Sequence, residues 1–399
     1  MLAWLTICAS AFYALFFLFS LVKRRKRQNL DDTVFTGVPR WPKVALIFST
    51  RGDDETSSVR GASAAASMLA LDYPNLEIIP VCDRGKSQHI DRMKSQAPSK
   101  VSVVQVDSLP AGWLGKTNAL QRAAATTDAE WLLFTDSDVC FEPQTIKRAL
   151  ALLFAENADH LTVSPGWVYG PFWGRVFMNS FNLLLLMGKP PSLVASQKFS
   201  VHMGFGAFNM VRKTAFDAIG GFDSIRMSID EDIKLGRALK WAGFSSRLAY
   251  SRTTVRVAWH QGVRDLLRGV EKNIFANVDF SVIRALLMIF VYGFGAVPVI
   301  GLVCLSGLEQ GIAALGTASL MGVLWLARES TGLGAWYGLS VPIGSLFLSI
   351  AMVRSAALAF LRKGIVWRKT FYSLGDLKAH VIERDRIHGD NRARRRYWF

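Results

Sequence analysis

Charge is scarce in this chain: Asp, Glu, Lys and Arg make up 20% of its 399 residues, against ~25% in ordinary globular domains, while 51% are hydrophobic. That shortage excludes a wholly water-soluble chain and predicts that part of it lies in a membrane. Acidic residues are the scarcer sign, 31 against 47 Lys and Arg, a formal excess of +16. The excess falls beside apolar segments and toward the C-terminus, and aromatic stacking motifs for RNA or DNA are lacking. It is therefore assigned to a bilayer, and no nucleic-acid partner is expected. Cysteine is sparse too. Cys8, Cys82, Cys140 and Cys304 show no paired spacing, which argues against a zinc site or a disulfide framework and for a reducing, cytosol-facing body. There is no internal repeat and no low-complexity linker.

Residues 1–22 are almost continuously apolar, long enough as a helix to cross a hydrocarbon core of ~30 Å, and stop at Lys23-Arg-Arg-Lys-Arg27. The charge follows the apolar run, and no small-residue cleavage site intervenes. This reads as an uncleaved anchor and not a secretory signal, with its basic end in the cytoplasm. Residues 41–280 alternate short β-rich runs (44–49, 76–81, 101–106, 131–135) with helical stretches (58–71, 90–96, 116–125), the pattern of an α/β body around a largely parallel sheet. Residues 281–361 turn apolar again in three runs, and 362–399 form a basic tail. Positive-inside counting places that tail in the cytoplasm, yet three full crossings after a cytosolic body would put it outside. One run is therefore expected to be re-entrant, or the last to be a hairpin broken at Pro342.

Phe134-Thr-Asp-Ser-Asp-Val139 ends an apolar strand in two aspartates, Asp136 and Asp138. Hard carboxylate oxygens so placed suit Mg2+ or Mn2+, which can bridge to nucleotide phosphates. The first strand leads into Thr50, Arg51 and Glu55, and the second ends at Asp83, whose carboxylate can accept hydrogen bonds from a pyrimidine base. Leu109-Pro-Ala-Gly-Trp-Leu-Gly-Lys-Thr-Asn118 brings Gly115 and Lys116 to the start of a helix, where the lysine can reach phosphate. It lacks the P-loop spacing. Ile229-Asp-Glu-Asp232 offers acidic residues at another helix start, which by themselves would equally serve the helix dipole.

In this order the motifs resemble glycosyltransferase family 2, the inverting enzymes of GT-A fold that use nucleotide-sugar donors, over roughly residues 41–280. The resemblance implies donor-binding roles for Thr50, Arg51, Glu55, Asp83, Gly115, Lys116 and Asp136, and metal binding by Asp136 with Asp138. It implies an acceptor side at Gly204, Gly206, Gly221 and Phe222, and Asp232 as general base next to Glu231. The family's Gln/Arg-x-x-Arg-Trp is not recognised in the stretch from Trp259 to Asn273. Arg264, Arg268 and Lys272 there recur every four residues as one basic stripe, for pyrophosphate or for an anionic lipid surface, and His260 is undecided between site and structure.

The plan of anchor, catalytic body, membrane segments and Lys363-Gly-Ile-Val-Trp-Arg-Lys-Thr-Phe-Tyr372 is most similar to the membrane-bound enzymes associated with hopanoids, carotenoids and ceramide. The expected fold is thus an α/β GT-A domain, Rossmann-like, between N-terminal and C-terminal transmembrane helices. The expected function is metal-dependent, inverting, non-processive transfer of a sugar, from a UDP-linked donor, to a membrane lipid by a multi-pass membrane protein with a cytoplasmic catalytic domain. A processive polysaccharide synthase, a nucleotidyltransferase releasing pyrophosphate and an inactive scaffold are the alternatives.

Overall fold

The computed structural model describes residues 1–23, 28–36, 38, 40–50, 58–258, 263–367 and 370–394; at 58–60, 263–265, 268, 329–330 and 388–394 it describes the backbone alone. In chain order the first elements are α1 (Leu2–Lys23), β1 (Gln28–Asn29), β2 (Val44–Thr50), α2 (Ser58–Leu69), β3 (Leu76–Asp83), α3 (Gln88–Gln96), β4 (Val104–Val106), α4 (Gly115–Ala124) and β5 (Trp131–Phe134). Next come β6 (Val139–Phe141), α5 (Thr145–Ala155), β7 (His160–Ser164), β8 (Gly166–Trp167), α6 (Phe172–Gly188), α7 (Pro191–Ala195), β9 (Asn209–Arg212), α8 (Lys213–Ala218), α9 (Glu231–Ala242), β10 (Ser246–Tyr250) and β11 (Val255–Val257). The chain closes with α10 (Val263–Glu271), α11 (Val282–Cys304), α12 (Gly307–Thr331), α13 (Val341–Leu361), β12 (Gly364–Trp367), β13 (Thr370–Ser373) and α14 (Leu374–Arg394).

These elements form two compact units that do not follow chain order. One comprises residues 28–166, 193–257 and 375–399, the other 1–27, 167–192 and 258–374.

The first unit is built on an eight-stranded sheet in the order β1-β10-β7-β9-β5-β2-β3-β4. Only β9 runs against its neighbours, β5 and β7; the other pairings are parallel. Central parallel strands are covered on both faces and so read as unbroken apolar runs: six of the seven residues of β2, Val-Ala-Leu-Ile-Phe-Ser-Thr, are buried. Packed on the sheet are α4 and α9, through Ala119, Leu120, Ala123, Leu235, Ala238 and Leu239. The strand expected at 101–106 is shorter, keeping only β4 and an isolated bridge at Val101.

Expected helix α4 carries Lys116 in its first turn, and β5 ends just before Asp136. The chain order of strands and helices thus delivers the charged motifs to the C-terminal ends of parallel strands, where open α/β sheets collect ligands.

The second unit is helical. Four helical stretches, Leu2–Lys23, Val282–Cys304, Gly307–Arg328 and Ala335–Leu361, are long and apolar enough to cross a membrane. Their outward residues, among them Trp4, Leu15, Ile283, Leu286, Phe290, Leu315 and Leu346, are exposed and apolar, which suits acyl chains and not water. Between helices the contacts are small: a Cβ added at Gly316 of α12 would lie 2.2 Å from Ser10 Oγ of α1, the close approach that membrane helices favour.

Pro342 does not break the last apolar run. It stands in the first turn of α13, where a missing N–H costs nothing, and α13 continues unbroken to Leu361. Arg354, inside that run, is paired: it and Arg362 each donate to Glu271 at 2.9 Å. Lys272 rests 4.2 Å from the Trp367 ring. The aromatic stretch of α6 is mostly buried in this unit, with Val176, Phe177, Met178 and Leu183 inside and Phe172 and Trp173 exposed.

Candidate active site

The site is assembled from four chain segments of the sheet unit around Lys116. Gly115 opens α4 where a Cβ would lie 2.5 Å from Asp83 Oδ2 and 2.6 Å from an Arg84 guanidinium nitrogen, so a side chain there would displace the Asp83–Arg84 pair at the end of β3. Lys116 then points across the strand ends. Its ammonium lies 2.5 Å from Asp136 Oδ1 and 2.6 Å from Glu231 Oε1, with only 11% of the side chain exposed. Burial opposes its charge, but Asp136 and Glu231 outweigh that and raise the ammonium's pKa above its ordinary value.

The second half of the site is a close crossing of two segments. At Gly204 an added Cβ would lie 1.8 Å from the Asp232 carbonyl oxygen, and at Gly236 of α9 it would lie 2.1 Å from the Met203 carbonyl oxygen. Both positions exclude any side chain, so the residues around Gly204 press on the first turns of α9. This crossing orients the carboxylate. Gly206 N–H donates to Asp232 Oδ2 at 2.7 Å, and Ile233 N–H donates to Oδ1 at 2.8 Å.

Asp232 begins a helix, a place that ordinarily favours the ionised carboxylate. Its pKa is nevertheless pushed up to about 7, first by burial and then by the adjacent Glu231 charge, against the opposing pull of Lys116. A helix-dipole role alone does not account for an acid so raised. Lys116, Thr135, Gly206, Asn209, Glu231 and Asp232 line one small cleft, floored by Phe134 and Phe222.

Of the expected site residues, Asp136, Lys116, Gly115, Gly206, Glu231 and Asp232 are thus brought together, with Gly204 behind them. Thr50 ends β2 opposite Cys82, and Asp138 lies one residue before β6. Asp83 is buried and both its oxygens accept from Arg84, at 2.9 and 3.0 Å, so base recognition by this carboxylate would have to share it with the arginine. Gly221 and Phe222 form the turn after α8. Gln121 Oε1 accepts from Phe222 N–H at 2.8 Å, and the Phe222 ring packs on Phe134 and Phe216. Arg51, Glu55 and His260 lie outside the described residues, and Arg264 and Arg268 are described only as backbone of α10.

Asp136 and Asp138 together with substrate phosphates and water fit a hard cation such as Mg2+ or Mn2+, which retains several waters and needs only one or two carboxylates. The turn between β5 and β6 holds the pair, and Oδ1 of Asp136 meets Lys116. Among the described residues no group of three or more His, Cys, Asp and Glu is preassembled for a metal.

The model of glycosyl transferase family 21 matches residues 2–379. The chain belongs to that family. The match falls on family 21 where the motif resemblance pointed to family 2; sugar transfer is common to both. Among solved structures, the chain is similar to the mannosyltransferase PcManGT of Pyrobaculum calidifontis in complex with GDP-Man and Mn2+. Identity is 14% over 90% of this chain and 99% of that one, with a TM-score of 0.51. It is also similar to residues 1–349 of TarS from S. aureus, at 13% identity over 83% of this chain and 96% of that one, with a TM-score of 0.39. At such identities the mannosyltransferase speaks for the fold, a glycosyltransferase α/β body. No curated protein gives a significant match.

Two features of this family 21 chain went unread in its sequence. Asn209, five residues after Gly204, was not singled out; its Nδ2 donates to the Asp232 carbonyl at 3.4 Å, while its Oδ1 meets buried His160 Nε2 at 3.1 Å. Gln261-Gly-Val-Arg264-Asp265 holds the first and fourth residues of the Gln-x-x-Arg-Trp pattern with Asp265 in the tryptophan's place. That partial match is visible only when the fifth position is relaxed.

Proposed function

We propose that this family 21 enzyme transfers a sugar from a nucleotide-sugar donor to a membrane lipid with inversion, using Asp232 as general base. The observation that carries this reading is a carboxylate held by two backbone N–H groups, its pKa raised to about 7, in a cleft it shares with Lys116 and Glu231. A base is most effective when its pKa is near the working pH.

In this reading the acceptor hydroxyl gives its proton to Asp232 as its oxygen attacks the anomeric carbon from the face opposite the diphosphate, and the nucleoside diphosphate leaves. Glu231 holds Lys116 toward the donor side. Asp136 and Asp138 would hold Mg2+ or Mn2+, which supplies neutralisation of the charge gathering on the diphosphate; the mannosyltransferase of similar fold was solved with both Mn2+ and a nucleotide sugar. The lipid acceptor is supported by membership of a chain with four membrane-length helical stretches in a sugar-transferring family.

The pH dependence tests the base. Below about pH 7 Asp232 keeps its proton, so kcat/KM should rise with pH through that value. Glu231→Gln removes a like charge that raises Asp232, so the acidic limb should move to lower pH. A limb that stays in place in Glu231→Gln would contradict the assignment.

The catalytic body is proposed to face the cytoplasm, following the basic residues after α1. Tail helix α14 belongs to the same compact unit as the catalytic residues, which supports an even number of crossings between 258 and 374. The third apolar stretch there, Ala335–Leu361, is proposed to enter and return. Val341 lies 3.8 Å from a Cβ placed on Gly295, midway along α11, and Gly338 sits against Met321, midway along α12. The other end of α13 returns to Glu271, just ahead of α11. Cys304, exposed at the end of α11, should then react with an impermeant thiol reagent only from the side opposite the tail. Labelling of Cys304 and of a cysteine added at the C-terminus from one side would sink this topology.

A further inference from the structure

Arg226 lies 109 residues beyond Thr117, yet its carbonyl accepts from Leu114 N–H at 3.0 Å and from Thr117 Oγ1 at 2.6 Å. These two residues bracket Gly115 and Lys116, so Arg226 fixes the turn from which Lys116 projects. The Arg226 guanidinium in turn donates to both carboxylate oxygens of Glu383 in α14, at 3.2 and 3.1 Å. Two residues on, Asp385 accepts from Arg237 at 3.2 Å, and Arg237 stands on α9, the helix that begins with Glu231 and Asp232.

The tail is docked and not loosely attached. Arg384 is 1% exposed and His380 5%. Within a tail expected to be basic, Glu383 and Asp385 remain 39% and 42% exposed and each meets an arginine of the body. The family match stops at residue 379, so Glu383 and Asp385 lie beyond it.

We propose that α14 is a positioning element of the donor site, with Glu383 holding Lys116 in place through Arg226. The carboxylate of Glu383 keeps the Arg226 side chain outward and its carbonyl turned to Leu114 and Thr117; this sets the start of α4 and with it the Lys116 ammonium between Asp136 and Glu231. One guanidinium nitrogen of Arg226 bridges both oxygens of Glu383, a charge-assisted contact that ties the residue to the tail. Neither Glu383 nor Arg226 touches substrate in this account. The inference rests on Lys116 as a donor-side group.

The test compares full-length wild type, Glu383→Arg, Glu383→Gln, Arg226→Glu and the exchanged pair Arg226→Glu/Glu383→Arg. Two readouts are taken: kcat and KM for the nucleotide sugar, and hydrogen exchange at Leu114 N–H, which needs no turnover. Glu383→Arg should raise the donor KM about ten-fold with a smaller change in kcat and speed Leu114 exchange about ten-fold. The exchanged pair should recover most of both. Glu383→Gln, a milder change in case the reversal does not fold, should shift both in the same direction by less. Folded Glu383 variants with wild-type Leu114 exchange, or an exchanged pair no better than the worse single variant, would overturn the proposal. Altered exchange in the variants, with no donor turned over even by wild type, would leave the positioning role standing and count against the proposed function instead.

Discussion

Asp232→Asn should lower sugar transfer by about 10²- to 10⁴-fold, the range that loss of a positioned base commands, while donor binding and the melting temperature stay near wild type. The amide keeps the size of the carboxylate, but its single oxygen can accept from only one of Gly206 N–H and Ile233 N–H, which now approach different carboxylate oxygens at 2.7 and 2.8 Å. What it cannot do is take a proton. Removing this carboxylate also relieves the repulsion it shares with Glu231, which offsets the one hydrogen bond lost, so the melting temperature should change little. A variant that turns over at the wild-type rate would remove Asp232 from the chemistry and leave it as a helix-start acid.

Lys116→Met should cost both stability and transfer. Lys116 is the cation between Asp136 and Glu231, and Glu231 is only 6% exposed. Withdrawing one partner from a buried ion cluster leaves its charges uncompensated, a loss of about 3–5 kcal/mol in well-buried cases; the value here belongs at the low end, because Asp136 is 41% exposed. The double variant Lys116→Met/Glu231→Gln separates the two effects. Removing both buried charges should recover much of the stability, as read by thermal melts, while transfer stays low because the donor side still lacks its ammonium. Equal loss of stability in the single and double variants would contradict the ion-cluster account.

The sheet and the local setting of each motif were legible in the sequence. A short apolar run such as β2 fits a covered strand, and Asp136 follows another such run after Thr135. Gly115 before Lys116 signalled a helix start where backbone can approach a ligand. Long-range partners were not legible: nothing in sequence spacing says that Lys116 meets Glu231, 115 residues away, or that Gly204 must be bare because α9 crosses it. The docking of the tail was not legible either, because net charge does not say which side chains find partners; Glu383 and Asp385 pair with Arg226 and Arg237 of the body. Pro342 misled, since proline breaks a helix only in its interior and here it stands in the first turn.

The central claim, sugar transfer onto a lipid by Asp232, is tested most directly by product analysis. Purified protein in detergent is offered a panel of nucleotide sugars with total membrane lipid, with and without Mn2+, beside Asp232→Asn. The account predicts release of a nucleoside diphosphate that requires lipid and metal and is lost in the variant, and a lipid heavier by one sugar whose anomeric configuration is opposite to the donor's. Release of pyrophosphate, or a product of retained configuration, would contradict it.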